Sequence, residues 1–158
     1  MKQRSFAGLS AVVGLAVLVG CSRPLPPADP QMVAEWMRAY YGLIRAERLT
    51  PPVASRVLGY AAVALYEGMA AGTPSLATLA GALNGLDSLP RPVPNTRYDA
   101  TVTAIVAERV VLDSLLVEAL PTTRANVANL TDSLDRARVA SGIDPDPRTR
   151  SAELATRI

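Results

Sequence analysis

Thr50-Pro51-Pro52-Val53-Ala54-Ser55-Arg56-Val57-Leu58-Gly59-Tyr60-Ala61-Ala62-Val63-Ala64-Leu65-Tyr66-Glu67-Gly68 decides the fold. A threonine before a proline is a helix start, because the proline occupies a first-turn position whose N–H would have no partner anyway. Val53, Val57, Ala61, Ala64, Leu65 and Gly68 then recur at helical spacing. Gly72-Thr73-Pro74 stops the run. The small residues Gly59, Ala61, Ala62, Ala64 and Gly68 predict that another helix approaches this one closely.

The same punctuation extends in both directions. Asp29-Pro30 opens an earlier helix with Val33, Trp36, Met37, Tyr40, Leu43 and Ile44 on its apolar face. Residues 76–86 read as a short helix ending near Asn84-Gly85, followed by an extended crossing through Pro90, Pro92 and Pro94. Asp99 opens a long helix that buries Val102, Ile105, Val106, Leu112, Leu115, Leu116 and Ala119 and ends at Pro121. A fourth long helix runs from Thr123 to Ser141, with Val127, Leu130, Leu134 and Ala137 inward and Gly142 as its C-cap. Asp144-Pro145-Asp146-Pro147 leads into a last helix with Ser151, Leu154, Ala155 and Ile158 on one face. No segment alternates as a strand does. The expected fold class is all-α, a bundle of four to five helices over residues 30–158 that reads as incomplete at its C-terminus.

Residues 1–20 have a different character. Lys2 and Arg4 precede an uncharged apolar run from Phe6 to Val19, and Leu18-Val19-Gly20-Cys21 follows. This is the layout of a secretory signal ending in a bacterial lipobox. Cys21, the only cysteine of the chain, is the expected lipidation site. Membrane lipid, through diacylglyceryl and palmitate-type chains on Cys21, is therefore the expected partner, since two or more chains hold firmly where one does not. Ser22 in place of Asp favours the outer of two membranes. The expected location is the bacterial cell envelope, lipid-anchored. Residues 21–29, with Pro24, Pro26 and Pro27, read as a tether.

Removal of the signal alters the charge. The chain has 16 Lys+Arg against 14 Asp+Glu. Lys2 and Arg4 leave with the signal, so residues 21–158 are formally neutral and their only basic side chains are Arg. A nucleic-acid partner loses its electrostatic basis. The chain has no His, which removes Ser-His-Asp and Cys-His triads and histidine metal ligands.

Other candidates for chemistry have plain structural explanations. Asp144 and Asp146 supply too few oxygen ligands for a calcium loop and suit helix capping. Glu67 and Glu108 lie in apolar helices, but a two-metal bundle site also needs Glu-x-x-His pairs. Arg56, Tyr60 and Glu67 share one helix face and predict a polar cluster. Trp36, Tyr40 and Tyr41 read as core, and Asn129-Leu130-Thr131 as a chance sequon. No catalytic, cofactor-binding or metal-binding residue is assigned.

Trp36, the Pro51-Pro52-x-Ala54-x-Arg56 helix start and the Ala-rich helix ending in Tyr66-Glu67 carry a resemblance. So do the turn Leu83–Leu86, the Pro-rich crossing and Ser141-Gly142-Ile143. Together they resemble the N-terminal helices of bacterial vanadium-dependent haloperoxidase-like proteins, of the type-2 phosphatidic-acid phosphatase superfamily. The resemblance implies a vanadate- or phosphate-binding site built from Lys, Arg, a Ser-Gly-His segment and a further Arg and His, all in a later helical bundle. Not one of those residues has a counterpart here. The chain thus reads as the non-catalytic N-terminal half of such an enzyme, inactive alone, with a catalytic bundle encoded downstream as a partner. If so, its second and fifth helices should leave an apolar face uncovered. The alternative is a stand-alone lipid-anchored helical binding or scaffold module.

Overall fold

The computed structural model describes residues 24–158; residues 1–23, including Cys21 and the whole signal, lie outside them. Five helices follow in order: α1 (Gln31–Ala46), α2 (Pro51–Gly72), α3 (Ala100–Leu115), α4 (Pro121–Ala140) and α5 (Pro145–Ala155). No strand occurs among the described residues, so the all-α expectation holds. None of the described helices is long and apolar enough to cross a membrane.

The starts follow the local chemistry. Asp99 caps α3, its Oδ1 accepting from the Val102 N–H at 2.9 Å. Asp29 Oδ1 accepts from the Gln31 N–H at 2.9 Å, so α1 begins one residue later than the Pro-first reading. Pro51, Pro121 and Pro145 sit in the first turns of their helices. Gly142 takes φ +86° just past α4, the left-handed geometry its C-cap role requires. Arg48 closes α1 in the same way at φ 50°, with Arg48 N–H on the Arg45 carbonyl and Leu49 N–H on the Ile44 carbonyl. This paired-bond closure favours glycine at Arg48, and sequence inspection did not single it out.

Helix α3 is the central element, packing against α2, α4 and α5, while α1 packs on α4. The core gathers Trp36, Tyr40 and Leu43 of α1, Val57 and Ala61 of α2, Ile105 and Leu112 of α3, and Val127 and Leu134 of α4. The α2–α3 seam is a close backbone approach. A Cβ on Gly68 would lie 2.5 Å from the Ala104 Cα, and one on Gly72 would overlap the Ala100 backbone. Ala61, Ala64 and Gly68 are the small residues that serve this approach; Gly59 and Ala62 face outward.

Several expectations need correcting. Residues 76–86 form turns, not a helix, because Gly81 and Gly85 take φ near +80° and the Gly81 N–H bonds the Leu86 carbonyl. The third helix stops at Leu115 rather than Pro121, although Leu116 stays buried beyond it. Val33 and Met37 are 39% and 43% exposed, and Val53, Leu115 and Ala137 also face outward. In α1 the buried stripe is shifted to Met32, Trp36, Tyr40 and Leu43. In α5, Ser151, Leu154 and Ala155 are buried against the bundle, so the expected uncovered face of the fifth helix is absent.

Candidate functional site

Three places could carry chemistry or binding. The first joins α1 to α3. Glu108 falls between Ile105 and Leu112 on the buried face of α3 and is fully buried. The Tyr40 hydroxyl of α1 donates to Glu108 Oε1, while Glu108 Oε2 has no partner. Burial pushes the Glu108 carboxyl up to about 7, partly offset by the Tyr40 hydrogen bond. Burial, and then the neighbouring carboxylate, hold the Tyr40 phenol far above its ordinary range. The Trp36 ring stacks on Tyr40 with centroids 6.0 Å apart. Tyr40 and Trp36 are core residues, as their spacing suggested; Tyr41 is 67% exposed.

The second is a buried ion pair at the other end of α3. Arg138 Nη2 lies 2.6 Å from Asp99 Oδ2, and Nε bonds both carboxylate oxygens. The Asp99 N–H donates to Ser151 Oγ at 2.7 Å, which in turn donates to the Pro147 carbonyl. Two further Arg138 N–H groups donate to the Pro27 and Pro26 carbonyls at 2.8 and 2.6 Å. Arg138 continues the α4 stripe of Thr123, Val127 and Leu134. An arginine on an apolar stripe was a usable signal that sequence reading passed over.

The third is an apolar groove of about 480 Å³ between α1 and α2, walled by Val33, Met37, Leu58, Leu65 and Met69 with Tyr40 at its base. Its α2 wall, Leu58, Leu65 and Met69, is half-buried and packs against the core.

The other candidate residues separate. Arg56 and Tyr60 are exposed, whereas Glu67 turns inward and accepts from Thr78 Oγ1 and the Leu79 N–H. Glu67 thus pins the loop after α2 and is not part of a cluster with Arg56 and Tyr60. It has its own partners, distinct from those of Glu108. Asp144 precedes α5 without a capping hydrogen bond, and Asp146 stands in its first turn. Asn129 is exposed on α4. Among the described residues no three His, Cys, Asp or Glu gather where they could hold a metal ion. Three guanidinium groups are taken up by carboxylates: Arg138 serves Asp99, Arg148 serves Asp135, and Arg109 serves Asp113.

The class defined by these features is an α-helical domain built around one central helix, with its buried charged side chains engaged in holding the fold. No family model and no curated protein matches the chain. Among solved structures, the fold is similar to the crystal structure of a bacterial vanadium-dependent iodoperoxidase. The match has 28% sequence identity and a TM-score of 0.64, and covers 84% of this chain and 31% of that one. The chain therefore has a haloperoxidase-like helical fold and spans less than a third of that enzyme's length.

Proposed function

We propose that this chain is a lipid-anchored envelope protein that supplies the non-catalytic helical part of a vanadium haloperoxidase- or acid-phosphatase-like enzyme. The reading rests on one observation. The likeness takes in 84% of this chain but 31% of the iodoperoxidase, and no histidine occurs in the sequence that could serve vanadate chemistry. The anion-binding residues would then come from a further helical bundle seated on the α1–α2 groove. Cys21, diacylated before the signal is cut away, anchors the domain in the periplasm or at the outer membrane.

Three measurements test this. Cys21→Ser should abolish incorporation of labelled fatty acid; incorporation that persists sinks the anchor. Vanadate titrated into residues 22–158 should give no binding heat, and micromolar binding would overturn the non-catalytic assignment. Translating the DNA downstream in all three frames should reveal Lys, Arg and Ser-Gly-His segments; an unrelated gene there favours the stand-alone module. That second reading has its own support in the closed core around Trp36 and Ile105, both essentially unexposed.

A further inference from the structure

The Pro-rich segment before α1 does not hang free. Pro26 and Pro27 offer carbonyls in a stretch without regular structure, where no helix or sheet competes for them. Arg138 takes both, through Nη2 at 2.6 Å and Nη1 at 2.8 Å. The guanidinium cannot swing away, because Asp99 holds its Nε and Nη2, and Asp99 is itself fixed by Ser151 and the first turn of α3. The Arg138 and Asp99 side chains are 5% and 0% exposed, so solvent does not compete for this ion pair. The result is a clamp at one end of the bundle, where α4 finishes and α1 and α3 begin.

Chain length then limits what can stand between the clamp and residue 21. Five residue steps separate Cys21 from Pro26, at most about 18 Å of extended chain. A free segment reaching to Pro30 would span about 30 Å. A small domain is about 30 Å across, so the clamped segment is too short to pass around one.

We infer that Arg138 is a positioning residue that seats the α4 C-terminal end of the bundle against the lipid headgroups, with the exposed Gln31, Arg136, Val139 and Ala140 facing the bilayer. The inference rests on acylation of Cys21, as proposed above. It assigns that end to the bilayer surface, and the opposite end, Val117–Leu120, to the aqueous side. Helix α4 is about 30 Å long, which sets the scale of the separation.

The test uses the full acylated protein in liposomes carrying a headgroup-labelled acceptor lipid. Acylation leaves no native free thiol, so Ala140→Cys or Val117→Cys takes a single maleimide donor. Energy transfer should be severalfold greater from position 140 than from 117. Inserting twelve Gly-Ser residues before Pro24 leaves the clamp intact and should bring the two positions to similar, low transfer. Arg138→Met, where it folds by circular dichroism, should also erase the difference. Equal transfer from both positions without the insertion overturns the inference, as does a difference that survives the insertion. Fatty-acid labelling is read separately. If Cys21 takes up no label, the anchor itself fails and the orientation falls with it; label without a difference condemns the orientation alone.

Discussion

The two sides of α3 are held by different physics. Toward α2, the seam is made of Gly68 and Gly72 against Ala100 and Ala104, with backbones so close that no side chain fits between them. Toward α1 and α4, α3 presents Glu108 to Tyr40 and Asp99 to Arg138, both carboxyls buried. The first side gains from dispersion and exclusion of water over small residues, and tolerates almost no added volume. The second accommodates large side chains, and its stability depends on keeping polar partners together. One helix thus faces a steric constraint on one side and an electrostatic constraint on the other.

Removing a polar partner should give the largest effect. Arg138→Met leaves the Asp99 carboxylate buried without its cation, and breaking such a pair costs about 3–5 kcal/mol. Urea unfolding near neutral pH measures the loss. Asp99→Asn in the Arg138→Met background should recover part of it, since the stranded charge is gone. No recovery would mean that the ion pair does not dominate this side. Close behind comes the seam: Gly68→Val places branched carbon into the Ala104 backbone. The helices must part, at about 3 kcal/mol, the upper part of the overpacking range. A loss within experimental error would show that α2 can slide along α3.

These two sides differed in how far they could be read from sequence. The run from Ala61 to Gly68 announced a close helix neighbour, because small residues at helical spacing have few other uses. The partner strip on α3 could not be named, since Ala100 and Ala104 become a strip only once the register is set. On the polar side, Glu108 stood out as a charge in an apolar helix, but nothing in the sequence paired it with Tyr40, 68 positions away. The proline signals placed the starts of α1, α2 and α5 within two residues, because caps act over one turn, whereas Pro121, read as the end of the third helix, opens α4. The segment 76–86 misled for a physical reason: its Leu and Ala suit a helix, while Gly81 and Gly85 take left-handed turns that end one. Cys21 and its lipobox are legible only as sequence.

A titration sharpens the electrostatic side. Glu108 is held up to about 7 by burial, against an ordinary value of 4.5. The folded state therefore binds a proton that the unfolded state has released between these values. Its contribution to stability is fully present below about pH 4.5, declines as pH rises, and is gone above about pH 7. Glu108→Gln cannot ionise and still accepts from Tyr40. Relative to wild type, the variant should gain roughly 2 kcal/mol in stability between pH 5 and pH 8. A parallel pair of stability–pH curves would mean that Glu108 does not titrate in this range.

The smallest effect separates two glycines that look alike in sequence. Gly59 and Gly68 both lie inside α2 and both belong to its run of small residues. A Cβ at Gly59 meets nothing within 4 Å, whereas at Gly68 it strikes backbone. Gly59→Ala should therefore act only through the helix, where alanine costs less backbone entropy than glycine. It should stabilise by about 0.5–1 kcal/mol, visible as a modest rise in Tm. The same change at Gly68 should destabilise. The opposite signs follow from which face meets α3, so the pair measures the seam's orientation independently of its tightness. A loss at Gly59 would mean that this exposed face of α2 is itself packed against something in solution, and the steric constraint would then act on both faces of the helix.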